Sequence, residues 1–509
     1  MSASELRLTQ WLSGRRGDVA ALMAGAPLAL GFAPFGWYPL PVLCLAGLLA
    51  ACHGCSPRRA LWRGFAFGVA SFLGGLYWIY VSVHVFGGAP LLLALVLMFA
   101  LVLFMAVYPA LFAYALARVF RPGVAQLVLG APALWVLTEW LRGWLFSGFG
   151  WLSLGYSQTD GPVQGVLPIA GVHGASFVVV LLAGTLLALL VYRRRALIAA
   201  IASLVLLVGS GFASTVAWTS VQGEPFRVAL IQGSVPQEVK WHPDSLRPTI
   251  DLYLRLTAEH PDVDLALWPE AAIPAARDRL DAVFEVLADM GQRTDTDYLV
   301  GQVEVNRERD ERLNTVFSIT TKAAANSRYV KHHLVPFGEY FPVPNFVRRI
   351  IQWMDLPFQD FTPGPLGQSP LDVAGQTVAV SICYEDVFGA QLRASIESST
   401  VLANVSNDAW FGASLAPHQH LQIARVRALE AGRMILRSTN NGISAVIDAD
   451  GRVIARSGQF EPEVLVARAV GRKGLTPFAR FGNGPVITLA CAVLVMLGGL
   501  VALRRTDKV

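Results

Sequence analysis

Apolar and polar positions divide the chain into two kinds of sequence. Over residues 1–217, and again over 485–509, apolar residues follow one another with little polar interruption; between them they come in short runs broken by charge. A membrane-crossing helix needs about 20 mostly apolar residues. About eight stretches reach or approach that length: roughly 18–35, 38–54, 62–83, 90–117, 125–142, 164–191, 196–217 and 485–503. They predict an α-helical transmembrane bundle, with about seven helices in 1–217 and a last helix and tail in 485–509. The first stretch is long, Gly/Pro-punctuated and without an evident cleavage site, so it reads as a span and not as a signal peptide.

Residues 218–484 predict a separate domain. FRVALIQG, DLALWPE, YLVGQVEV, TVAVSICYE and VLANVSND are strand-like, and helical patterns over 275–292 and 416–434 separate some of them. SAVIDADGRVIARS predicts a hairpin with Asp450-Gly451 at its turn. Strands alternating with helices indicate a layered α/β domain of about 265 residues.

Composition agrees with lipid contact. Apolar residues make up 54% of the 509 and charged residues 15%, with a mean hydropathy of +0.48, whereas soluble domains are nearer a quarter charged. The net charge of +5 does not indicate nucleic acid, because the basic residues sit in short clusters between apolar runs and form no single basic face. Arg7, Arg15 and Arg16 precede the first run; Arg58, Arg59 and Arg63, then Arg118 and Arg121, then Arg193, Arg194 and Arg195, occupy alternate loops, and Arg504, Arg505 and Lys508 close the chain. Loops 34–37 and 84–89 have none. By the positive-inside rule both termini are cytoplasmic and 218–484 lies outside.

Five cysteines are present. Cys44, Cys52, Cys55 and Cys491 lie in or beside apolar stretches, and the single C-x-x-C at 52–55 lacks the second pair that a zinc site needs. Cys383 is the one cysteine of the polar region, without a local disulfide partner.

Three segments deliver reactive groups just beyond apolar runs, where α/β folds place their sites. LALWPE ends in Glu270; TVAVSICYED carries Cys383; RYVKHHLVPFGEYFP carries Lys331, with Glu339 in the Gly/Pro-rich loop that follows. A thiol becomes nucleophilic when a carboxylate takes its proton. A lysine favours thiolate and stabilises an oxyanion, and the backbone N–H of Tyr384 is a second donor for it. The same residues also fit a packed cysteine and a structural ion pair. Two other groupings invite a reading: His418 and His420 a metal, Glu139 and Arg142 either a mutual pair or a lipid headgroup contact. Neither pattern brings enough partners with it to indicate a ligand.

WPE-x-x-I-P, K-x-H-L-V-P-F-G-E and ICYE resemble, in order, the three blocks that supply Glu, Lys and Cys in the nitrilase superfamily. Over nearly its full length the chain is similar to the apolipoprotein N-acyltransferase family. IQGSVPQEVKW, SNDAWFG, RALEAGR, RSTNNGISAVI and GLTPFARFGN carry the likeness in the polar region; APALWVLTEWLRGW, GWLSLGYSQTDGP and FAPFGWYPLP carry it in the apolar one. The resemblance implies an αββα nitrilase-like catalytic domain on a multi-pass bacterial inner-membrane protein, facing the periplasm, with no metal or cofactor. It implies a ping-pong acyl transfer. Cys383 would take an acyl chain as a thioester from a membrane phospholipid donor, sn-1 of phosphatidylethanolamine. The N-terminal α-amine of a diacylated apolipoprotein would then accept it. Glu270 would be the general base and Lys331 the oxyanion stabiliser, with Glu339 orienting Lys331 or the thiol. Tyr384, Glu385 and Trp241 would support the site or gate substrate. Aromatics of 341–361 (Phe341, Phe346, Trp353, Phe358 and Phe361) would form a lid at the bilayer surface. The competing readings are a membrane-anchored amidase with the same three residues, and a transporter or receptor with an inactive domain. The spans' near lack of ionisable residues speaks against a transporter.

Overall fold

The computed structural model describes residues 3–321, 327–342 and 360–506, so Phe346, Trp353 and Phe358 of the expected lid lie outside the described residues. The chain divides into two compact units: Met1–Ala217 with Ala413–Gln422 and Thr476–Val509, and Trp218–Gly412 with Ile423–Leu475.

The first unit is helical. A helix stands in each expected apolar stretch: Gly14–Gly25, Leu40–Cys52, Pro57–Leu76, Leu91–Val119, Ala131–Arg142, Leu167–Tyr192, Leu197–Ala213 and Gly484–Thr506. Among the described residues, Leu91–Val119 and Gln164–Ala213 are long and apolar enough to cross a bilayer. A third span joins them if Pro57–Leu76 and Trp78–Phe86, bent by 50°, count as one. Several helices are shorter than their apolar runs because proline and glycine interrupt them. Gly14–Gly25 gives way at Ala26-Pro27 to a 3₁₀ turn. Leu40–Cys52 has 13 residues, which rise only about 20 Å. Helices approach closely where glycine meets a neighbour: a Cβ at Gly68 would lie 2.7 Å from Ala106 Cα.

Glu139 and Arg142 are buried, so they do not present a surface for headgroups. They lie 3.8 Å apart, yet their best hydrogen bonds go to the loop after their helix. Arg142 donates to the Phe149 and Trp151 carbonyls and to Ser153 Oγ, and Glu139 Oε1 accepts from the Leu154 N–H at 2.9 Å. Charge inside this unit therefore fixes a loop. His420 is buried with its ring 5.5 Å from that of Trp151, and Gln419 accepts from the Trp151 indole N–H at 2.7 Å. Among the described residues no group of three His, Cys, Asp or Glu is placed to hold a metal ion.

The second unit contains two six-stranded sheets. The first runs β12 (Glu463–Lys473), β1 (Ser220–Gln232), β2 (Leu265–Trp268), β3 (Asp297–Asn306), β4 (Glu311–Ile319), β5 (Arg328–Val330). The second runs β11 (Val453–Arg456), β10 (Ala445–Ile447), β9 (Ile435–Thr439), β8 (Val401–Ser406), β7 (Gln376–Ile382), β6 (Leu371–Val373). In each, three central strands are parallel (β1, β2, β3 and β7, β8, β9) and the flanking strands antiparallel. Parallel neighbours require crossover connections. Helices Leu246–Ala258 and Asp281–Thr294 supply them in the first sheet, Gly389–Ile396 and Ala416–Ala431 in the second. The predicted hairpin is β10–β11, with Gly451 at φ 78° in its turn.

Period-2 alternation builds the core. Val228, Leu230, Leu265, Leu267 and Leu299 of one sheet pack with Val378, Val380, Ile382, Val401, Val405 and Leu436 of the other. The alternate residues Ala229, Ile231, Ala266, Trp268 and Val300 pack with Tyr253, Leu256, Phe284 and Leu287 of the two crossover helices. With both faces covered, the parallel strands are rich in apolar residues, and two polar exceptions inside them, Asn404 of β8 and Arg437 of β9, bond each other.

Candidate active site

Glu270, Lys331 and Cys383 each follow the end of a strand. The four residues of β2 are buried; Pro269 has no N–H to continue the ladder, and Glu270 comes next, before a sharp turn with Ala271 at φ 45°. β3 passes close to that turn because Gly301 has no side chain: a Cβ there would be 2.3 Å from Pro269 O. Lys331 follows β5 directly, its N–H bonded to Asn314 O of β4. β7 ends at Ile382, and Cys383 opens a 3₁₀ turn, Cys383–Val387. Its φ of 52° is left-handed, a conformation of order 1–3 kcal/mol above ordinary backbone for a non-glycine residue. Such strain at a strand-to-turn junction lifts a side chain clear of the ladder.

Glu270, Lys331 and Glu339 meet. The Lys331 ammonium donates to Glu339 Oε1 at 2.8 Å and to Glu270 Oε1 at 3.3 Å, with its side chain 1% exposed. Asn314 Nδ2 donates to the same two oxygens, at 2.7 Å for Glu270 and 3.0 Å for Glu339. The remaining oxygens are held by backbone: Asn407 N–H to Glu270 Oε2 at 2.9 Å and Val335 N–H to Glu339 Oε2 at 2.8 Å. Burial alone would drive the Lys331 pKa down, but Glu270, Glu339 and Cys383 outweigh it and hold the ammonium protonated. Cys383 is partly buried. Burial, then the Glu270 charge, pushes its thiol pKa well above the usual range; Lys331 and the Ser406 hydroxyl pull it down and Asp408 raises it. The resting residue is therefore a neutral thiol in electrostatic contact with a carboxylate and an ammonium. Such a set can pass a proton from sulfur to carboxylate while the ammonium stabilises an anion.

Glu385 is buried beneath this cluster and acts on backbone. Oε2 accepts from Ile382 N–H at 2.7 Å, and Oε1 from His332 and His333 N–H at 2.8 and 3.0 Å. The Tyr329 hydroxyl lies 3.0 and 3.1 Å from its two oxygens. One carboxylate thus ties the segment after β5 to the Cys383 turn. Tyr384 is buried in an aromatic group with Phe388 and His333. Trp241 is 52% exposed, at the end of a short helix, Gln237–Lys240.

Residue-type reasoning missed a second set. Arg437, fully buried in β9, donates to Asn404 Oδ1, Asp408 and Asp386, and Asn404 Nδ2 donates to Cys383 O at 3.3 Å. A guanidinium therefore steadies the Cys383 turn from behind. The available signal was a charge within the otherwise apolar and hydroxylic strand ILRST. Asn314 and Asn407 gave no such signal, since neutral amides in strands and loops are common.

The comparisons with known proteins then decide the family. Residues 24–185 match the apolipoprotein N-acyltransferase N-terminal domain, and residues 227–471 the carbon-nitrogen hydrolase domain. An apolipoprotein N-acyltransferase of Methylococcus capsulatus is 40% identical over 478 residues, covering 93% of this chain and 94% of that one. One from Nitrosomonas europaea is 41% identical over 495 residues, covering 96% and 98%. The chain belongs to the apolipoprotein N-acyltransferase family. Among solved structures, the nitrilase-superfamily protein Nit3 of Saccharomyces cerevisiae is 18% identical, covers 49% of this chain and 93% of that one, and has a TM-score of 0.37. The matched residues 24–185 lie in the first unit, and the matched residues 227–471, apart from Ala413–Gln422, lie in the second, which carries the α/β fold.

Proposed function

We propose that this acyltransferase matures lipoproteins through a thioester on Cys383. As a phospholipid binds, Glu270 takes the thiol proton and the sulfur attacks the ester carbonyl, most simply the sn-1 ester of phosphatidylethanolamine. The tetrahedral oxyanion is stabilised by Lys331 and the Tyr384 N–H. Its collapse forms the Cys383 thioester and expels the glycerol oxygen, which recovers the proton from Glu270 and leaves as lysophospholipid. The α-amine of a diacylglyceryl-cysteine then attacks the thioester while Glu270 takes the amine's proton. The amide forms, and the sulfur leaves and is reprotonated. Glu339 holds Lys331 in place, Glu385 holds the Cys383 turn, and Tyr384 and Trp241 contact the lipids.

The observation that carries this reading is the buried Lys331 ammonium between Glu270 and Glu339, coupled to the Cys383 thiol, in a chain whose relatives match it along both domains. The amidase alternative would explain 227–471 and leave 1–217 without a use. A diacylated acceptor cannot leave the bilayer readily, since each buried CH₂ contributes about 0.8 kcal/mol, so the catalytic domain has to work at the lipid surface. We place it, residues 218–484, on the periplasmic side of the bacterial inner membrane. About eight spans, drawn from 1–217 and 485–509, hold it there. Both termini are then cytoplasmic, in keeping with the arginine clusters.

The test uses full-length enzyme in mixed micelles with phosphatidylethanolamine labelled in one acyl chain, followed by a diacylated lipopeptide. Label from sn-1 should first appear on protein in hydroxylamine-labile form and then pass to the lipopeptide. Transfer from sn-2 alone would refute the donor position. Release only as free fatty acid would refute the transferase reading and favour a hydrolase.

A further inference from the structure

Lys240 is fully buried, and its Nζ has no hydrogen-bond partner among the described residues. A buried ammonium without a partner costs stability that an apolar side chain would not, so its presence calls for a use. Its surroundings are built with care. The segment before it is anchored on Asn440, which accepts from the Ser234 and Val235 N–H groups and donates to Val235 O. Gln237, one helical turn earlier, accepts from Asn407 Nδ2 at 3.0 Å, and the backbone N–H of that same Asn407 donates to Glu270 Oε2. Lys240 thus sits one helical turn from Gln237, which is linked through Asn407 to the candidate general base, and its charge interacts with that of Glu270.

The charges of the site explain what it is for. Glu270 and Glu339 share one ammonium, Lys331. Two carboxylates on one cation leave a net negative charge beside the thiol even before Cys383 ionises, and ionisation would add another. We propose that Lys240 is a positioning residue of the acyl transfer: its ammonium offsets the Glu270 charge that otherwise opposes ionisation of Cys383.

This rests on the reading of Cys383 as nucleophile, and the experiment separates the two. Iodoacetamide alkylation of Cys383 is followed by peptide mass spectrometry from pH 6.5 to 9.5, in full-length wild type and Lys240→Met, beside melting curves. Asp408 and Lys331 act on the thiol in both proteins, so the comparison isolates residue 240. Near neutral pH the variant should alkylate about tenfold more slowly, the equivalent of one pKa unit. Burial lowers the Lys240 pKa to about 8, against the opposing pull of Glu270, so wild type loses the charge as pH rises through that value. The rate ratio should then shrink toward one, while the variant melts no lower than wild type. A ratio that stays constant with pH, or equals one throughout, overturns the proposal. So does failure of Lys240→Met to fold, since that would mean the ammonium serves the fold. Full N-acylation by Cys383→Ala would instead overturn the nucleophile reading itself.

Discussion

Cys383→Ala is expected to abolish N-acylation, with a loss on the order of a millionfold, as when other enzymes lose a covalent nucleophile, while the protein still folds. The fold should survive because the Cys383 turn is held by groups the substitution leaves in place. Glu385 binds the Ile382 N–H, Asn404 binds the Cys383 carbonyl, and Arg437 fixes Asn404. Activity should not survive, because nothing else at the strand end carries a nucleophile of that kind. The raised thiol pKa adds a pH signature. Burial and Glu270 keep the resting sulfur protonated, so its alkylation should accelerate with pH, by about tenfold per unit below the midpoint. A preformed thiolate would give a flat profile.

The second large effect is expected at Lys331. In Lys331→Met, Glu270 and Glu339 would face each other with Asn314 between them and without the ammonium that bridges them. Breaking a buried pair in this way costs about 3–5 kcal/mol, and here one cation serves two carboxylates. Thermal melting of wild type and variant checks that loss. Turnover should fall by at least about 10²–10³, the loss seen on removing an oxyanion donor. Lys331→Arg should not restore it, because a planar guanidinium cannot replace a compact ammonium between the two oxygens. A Lys331→Met protein as stable as wild type would contradict the charge arrangement described.

The strand ends were legible in the sequence for a physical reason. A parallel strand buried on both faces is rich in apolar residues, so a reactive residue just past its end stands out, as Glu270 does after LALW and Cys383 after TVAVSI. Lys331 stands out in the same way after the short edge strand β5. Their supports were not legible. Asn314 reaches Glu270 across 44 positions and Asn407 does so across 137, through strand pairing and turn geometry that no local pattern records. Glu385 was expected to support the site or gate substrate; that its oxygens hold the Ile382, His332 and His333 N–H groups was not legible, because those partners meet only through the fold. In the membrane part, apolar run length overstates helix length, because a run such as 18–35 continues through Pro27 while the regular helix stops at Gly25.

The most direct test of the central claim is mass spectrometry of the protein trapped after phospholipid is added and before any lipopeptide. One added acyl chain is expected on the peptide containing Cys383, labile to hydroxylamine and absent from Cys383→Ala. An acyl chain on any other residue, or the same adduct in the alanine variant, would contradict it.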